Sequence, residues 1–98
     1  MSTQPITTTT IRIPTPLRGY TGGQAAVPAE GATVGAALDA LARRFPSVQP
    51  HLFDDAGHLR AFVNVYLGDE DIRYLHGMET PLTDGAELSL VPSIAGGA

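Results

Sequence analysis

The sequence predicts an α+β fold: a mixed sheet of four to five strands with one main helix packed on one face. Two observations lead there. Residues 34–45 carry an apolar stripe of helical period, and the stripe is narrow. Around it, short runs of alternating apolar residues are separated by Gly- and Pro-bearing turns, in the order strand, strand, helix, strand, short strand, strand. A narrow-striped helix covers one face of a sheet, and strands grouped around a single helix make an α+β layer. The 98 residues suit one domain with one modest core. We place that domain at 1–92, with residues 1–7 as a mobile N-terminal tail and 93–98 as a flexible C-terminal one.

The first strand runs from Thr8 to Pro14. Ile11 and Ile13 alternate with Arg12 and Pro14, so the isoleucines belong to the core and the other two point outward. Thr21-Gly22-Gly23 reads as a turn and Gln24–Val27 as a short returning strand, which makes an antiparallel hairpin. Thr33 is a good helix N-cap. Val34, Ala37, Leu38 and Leu41 follow at i, i+3, i+4 and i+7, with Phe45 one turn further. Arg43 and Arg44 suit the negative end of the helix dipole, and Pro46 stops the helix.

Residues 47–59 read as a loop turning at Asp54-Asp55-Ala56-Gly57. In the strand Phe62–Leu67, Val63, Val65 and Leu67 form the all-aliphatic face expected under the helix. Phe62, Asn64 and Tyr66 take the other face. Gly68-Asp69 turns the chain into a short edge at Asp71–Tyr74. Thr83-Asp84-Gly85 then leads into a last strand, Glu87–Val91, which Pro92 ends because proline cannot donate to a ladder. With the first and last strands as parallel central neighbours, this order is a ubiquitin-like β-grasp. The last strand then hands its tail on from the middle of the sheet.

Composition narrows the function. Without cysteine there is no disulfide framework, thiolate metal site or cysteine nucleophile. A net charge of −4 with no lysine argues against nucleic acid, which demands basic clusters, and removes the P-loop and Schiff-base lysines. No apolar run reaches the length of a membrane span, so the expected location is the cytoplasm. His51, His58 and His76 lack metal-ligand spacing, and Asp69-Glu70-Asp71 reads as a solvated turn. No cofactor is expected.

After Pro92 the chain reads Ser93-Ile94-Ala95-Gly96-Gly97-Ala98. Ser93–Gly97 fully extended reaches roughly 17 Å at ~3.3 Å per residue, long enough to thread into another protein's active site. Beside its root, the sheet face away from the helix presents Arg12, Pro14, Phe62, Tyr66, Ser89 and Val91. Phe62, Tyr66 and Val91 would form an exposed apolar patch, the mark of an interface. Ile94 extends that surface into the tail.

The blocks Phe62-Val63-Asn64-Val65-Tyr66, Glu70-Asp71-Ile72-Arg73-Tyr74-Leu75, Asp84-Gly85-Ala86-Glu87-Leu88 and Pro92-Ser93-Ile94-Ala95-Gly96-Gly97 resemble the prokaryotic ubiquitin-like sulfur carriers, the group of ThiS, MoaD and CysO. Ile11–Arg18 and Gly31–Gly35 match that family's first strand and helix start. The resemblance spans Ile11–Gly97 and is strongest to the cysteine-synthase carrier type. It implies a group carrier, not an enzyme. The resemblance further implies that a partner adenylates the Gly97 carboxylate and converts it to a thiocarboxylate, with Ala95 and Gly96 lying with Gly97 in the partner's channel. The implied partners are an ATP-dependent adenylating and sulfur-transferring enzyme of the MoeB/ThiF kind and a sulfur-accepting synthase for cysteine, a thiosugar, thiamin or molybdopterin. Ala98 departs from the family form, which ends at glycine, and implies processing by a zinc metalloprotease. The alternative is a ubiquitin-like interaction or conjugation module without sulfur transfer.

Overall fold

A computed structural model describes residues 7–92. The tails expected at 1–7 and 93–98 therefore lie outside it, apart from Thr7, whose carbonyl accepts from the Gly31 N–H at 3.0 Å. Among the described residues, five strands form one sheet: β1 Thr8–Arg12, β2 Ala26–Glu30, β3 Val63–Leu67, β4 Glu70–Asp71 and β5 Glu87–Pro92, in the spatial order β2-β1-β5-β3-β4. β5 runs parallel to β1, with Ile11 opposite Leu88, and antiparallel to β3, with Val65 opposite Leu90. The remaining pairs are antiparallel. This is the ubiquitin-like β-grasp expected from the element order.

The helix α1, Val34–Arg44, covers one face. The Thr33 hydroxyl accepts from the Ala36 N–H at 3.2 Å, which satisfies one orphan donor of the first turn. Its Val34, Ala37, Leu38 and Leu41 are buried against Ile11, Ile13, Val27, Val63, Val65, Leu88 and Leu90. Arg43 also pairs with Asp39 one turn back, at 3.0 Å. Phe45 leaves the stripe to become the C-cap and is half-buried. Chain and helix meet closely at Gly31, where a Cβ would lie 2.6 Å from the Ala37 nitrogen.

Several boundaries differ from the sequence reading: β3 begins at Val63, not Phe62, and the edge expected at Asp71–Tyr74 is a two-residue strand, Glu70–Asp71, followed by a 3-10 turn, Ile72–Tyr74. β1 ends at Arg12, although Ile13 stays buried and donates to the Ala25 carbonyl at 2.8 Å. The returning strand is Ala26–Glu30, not Gln24–Val27. A 3-10 turn at Thr15–Tyr20 and the buried Thr21, whose hydroxyl bonds the Arg18 and Gln24 carbonyls, use up the intervening chain. The loop at 47–59 contains a 3-10 turn, Pro46–Val48, and a one-turn helix α2, Gln49–Leu52. Val48, Leu52 and Phe53 there enter the core.

β5 also runs through Pro92. The Gly68 N–H donates to Glu87 O, which makes Tyr66–Ser89 and Asn64–Val91 the hydrogen-bonded pairs. Pro92 thus stands at a non-hydrogen-bonded position opposite Val63, where its missing donor costs the β3 ladder nothing. Gly68 opens the two-residue β3–β4 hairpin at φ +61, a conformation that favours glycine.

Candidate functional site

The sheet face opposite α1 is open, and strand alternation decides what it shows. Across it runs a row of Arg12 on β1, Ser89 on β5 and Tyr66 on β3, with Asp71 of β4 beside Tyr66. Nearer the end where β5 hands on the chain, Val91 stands opposite Asn64, and Phe62 precedes β3. Phe62 and Val91 are 46% and 43% exposed, unusual for large apolar side chains. Tyr66 is half-buried, so it shares the face with them without being equally open. Pro14 is half-buried and caps the 3-10 turn at Thr15–Tyr20. Arg12 is exposed and reaches Glu87 at 3.5 Å. Ile94, Ala95, Gly96, Gly97 and Ala98 lie outside the described residues.

A network that spacing does not reveal crosses the same face. The Arg73 guanidinium donates to Asn64 Oδ1 and pairs with Asp71 Oδ2 at 3.0 Å. The Arg73 backbone N–H also donates to Asp71 Oδ1 at 2.9 Å. The Arg73 side chain, ahead of its N–H, holds the Asp71 carboxyl below the usual carboxylate range, and Asp71 raises the guanidinium in turn. Asn64 was legible as a face residue from its alternation with Phe62 and Tyr66. Nothing in the pattern linked it to a residue nine positions on.

The other titratable groups lie apart. Tyr20 stacks on His51 with ring centroids 4.0 Å apart, which pins the 3-10 turn to α2. Asp54 accepts from the N–H groups of Ala56 and His58, both at 2.9 Å, and the His58 bond leads in holding its carboxyl below the usual range. Among the described residues, His, Asp and Glu nowhere gather into a cluster able to hold a metal ion. No helix there is long and apolar enough to cross a membrane. The face thus offers exposed apolar area and hydrogen-bonding groups beside the end of a central strand.

The model of the ThiS family matches residues 11–97. The sulfur carrier protein CysO of Mycobacterium tuberculosis is 41% identical over 90 residues, which cover 90% of this chain and 97% of that protein. Small archaeal modifier protein 3 of Haloferax volcanii is 35% identical over 68 residues, 69% of this chain and 73% of its own. Among solved structures, that of the Amycolatopsis orientalis BexX/CysO complex contains a chain with TM-score 0.82 and 40% identity, covering 91% of this chain and 99% of that one.

Proposed function

The chain belongs to the ThiS family, and on that premise we propose that it is a sulfur carrier protein charged at the carboxylate of Gly97. A carboxylate is a poor electrophile. In the first step a Gly97 oxygen attacks the α-phosphorus of ATP on a partner enzyme, and pyrophosphate leaves. In the second, sulfide attacks the acyl carbon, the bond to AMP breaks, AMP leaves and a thiocarboxylate remains. The partner supplies the nucleotide site and this chain the reacting group. Glycine at 96 and 97 keeps side chains out of a narrow channel, with Ala95 behind them.

The observation that carries this reading is the seat of β5. It is paired on both sides, by β1 and β3, and ends beside the exposed Phe62 and Val91. A root so fixed lets the docked face determine where the tail goes. The docking surface is Arg12, Pro14, Phe62, Tyr66 and Val91, extended by Ile94. The mycobacterial relatives favour a cysteine-forming synthase as the sulfur acceptor. Ala98 must first be removed by hydrolysis of the Gly97–Ala98 amide, a task for a zinc metalloprotease.

Intact-mass spectrometry of the protein isolated from its own cells tests the proposal. A species ending at Gly97 and heavier than the carboxylate by one sulfur-for-oxygen exchange is expected. A chain found only as the carboxylate, even after incubation with sulfide, ATP and the activating enzyme, would overturn it. The second reading, a protein modifier, rests on the similarity to small archaeal modifier protein 3. Isopeptide-linked Gly97 on lysines of other proteins, without the sulfur-bearing species, would favour it.

A further inference from the structure

The charges around the sheet are partly sorted along the strand direction. β1 and β5 are parallel and β3 is antiparallel to β5, so the C-terminal ends of β1 and β5 lie with the start of β3. Four of the six arginines gather at that end. Arg12 is the last residue of β1, and Arg18 Nε donates to the Ile13 carbonyl at 3.0 Å. Arg60 Nε donates to the Pro50 carbonyl at 2.8 Å while the Arg60 carbonyl accepts from Val63, the first residue of β3. Arg73 is bonded to Asn64, the second residue of β3.

Carboxylates hold the other end. Glu87 begins β5, Asp84 accepts from the N–H of Thr8 at 2.9 Å, and Asp69 and Glu70 form the hairpin beyond Leu67. Arg43 and Arg44 belong to α1 on the opposite face. The acids that reach the arginine end are Glu87, which pairs with Arg12 at 3.5 Å, Asp71, committed to Arg73, and Asp54 with its neighbour Asp55 in the turn near Arg60. A chain of net charge −4 therefore places Arg18, Arg60 and Arg73 at the end where β5 hands on the tail, with Arg12 at the end of β1 reaching back to Glu87.

Each of these arginines is anchored to the chain's own oxygens, Arg12, Arg18 and Arg60 through one contact each and Arg73 through three. A guanidinium has five N–H donors in a fixed fork, so anchoring orients it without exhausting it. The geometry points to a docking end built for a protein whose channel mouth carries carboxylates around an apolar centre: Phe62 and Val91 fill the centre, and Arg12, Arg18, Arg60 and Arg73 meet the acidic rim. This deepens the carrier reading and rests on it for the identity of that protein. The acidic far end would repel the same rim, so the charge separation also orients the encounter.

Two measurements test it. In the first, the 15N-labelled full chain is titrated with a hexaglutamate peptide at low salt. Amide shifts are expected at Arg12, Arg60, Asn64, Arg73 and Val91, lost in Arg60→Gln/Arg73→Gln and retained in Asp69→Asn/Glu70→Gln. Absence of shifts at that end would overturn the proposal. Shifts produced there far more strongly by ATP than by the peptide would overturn it too, and would assign the end to a phosphate ligand.

In the second, association with the adenylating enzyme is followed by stopped flow. The on-rate should fall about tenfold or more as salt rises from about 20 mM to about 500 mM. Arg73→Gln should flatten that slope and Arg73→Lys restore part of it. An on-rate indifferent to salt and to Arg73 would refute electrostatic docking even if adenylation proceeds normally. Failure of any adenylation would refute the carrier reading, while the peptide titration still decides the charge question.

Discussion

Arg73 donates to Asn64 and Asn64 stands directly opposite Val91, so a guanidinium anchored at the sheet edge is tied to the strand pair that roots the tail. The Asp71 side chain that holds this guanidinium is only 11% exposed, whereas Arg73 is 59% exposed. The carboxylate is thus the fixed member of the pair and the arginine the presented one.

The depressed Asp71 carboxyl predicts how acid acts on the fold. In the unfolded chain an Asp titrates near 3.9. Because the folded value is lower, the contribution of this group is complete above the unfolded value and fades as pH falls through the folded one. Asp71→Asn keeps an oxygen that can accept from the Arg73 N–H but removes the charge. The stability gap between wild type and Asp71→Asn, from urea unfolding, should be widest at neutral pH and narrow progressively below about pH 3.9. A gap that does not change with pH would assign the effect to packing.

Phe62→Glu and Val91→Glu should leave the fold intact, because both side chains already face water. Each places a carboxylate where a partner would have to desolvate it, so activation by the adenylating enzyme should drop by about tenfold or more, mainly through KM. Activation at the wild-type rate with unchanged circular dichroism would remove this face from the docking surface.

Leu38 and Leu41 are 0% and 1% exposed in the stripe of α1. Their truncation to alanine should each cost about 2–5 kcal/mol, the usual range for a buried large-to-small change. Thermal and urea unfolding measure it. A loss below about 0.5 kcal/mol, the scale of surface substitutions, would mean the helix does not pack as described.

These core positions show how far periodicity reaches. The α1 stripe was legible because its four apolar positions share one period and reinforce each other, and Ile11 and Ile13 because they alternate with Arg12 and Pro14. Val48, Leu52 and Phe53 were not, since a one-turn helix containing Pro50 completes no period and its burial depends on what it packs against. The β2 boundary slipped because the Thr21 hydroxyl bonds to two carbonyls, a local arrangement that looks like a plain turn in sequence. On the open face, alternation put Arg12, Ser89, Tyr66 and Val91 on one side, as the strand register does. It could not foresee that Tyr66 is half-buried or that Arg73 reaches Asn64, because both depend on long side chains crossing between strands.

Thr9 is fully buried on β1, and its hydroxyl has no hydrogen-bond partner among the described residues. Such a group loses its water without replacement, which costs about 1–3 kcal/mol. Valine has nearly the same shape and no hydroxyl. Thr9→Val should therefore raise stability by about 1 kcal/mol with the fold unchanged. A destabilised Thr9→Val protein would mean that the hydroxyl is satisfied in solution.

The final prediction concerns Ala98. A free Gly97 carboxylate is the group the proposed chemistry needs. With Ala98 attached, the carboxylate moves one residue, about 3.5 Å, further along the chain, and a methyl group stands beside it. Reacting groups tolerate little displacement: a misplacement of ~1 Å can cost on the order of a hundredfold in rate. The full chain should therefore release pyrophosphate from ATP on the activating enzyme at least about a hundredfold more slowly than a version ending at Gly97. Adding the metalloprotease should bring the two rates together, with loss of alanine seen by mass. Equal rates with Ala98 still attached would show that the enzyme accepts alanine at the reacting position, and the precursor idea would fall.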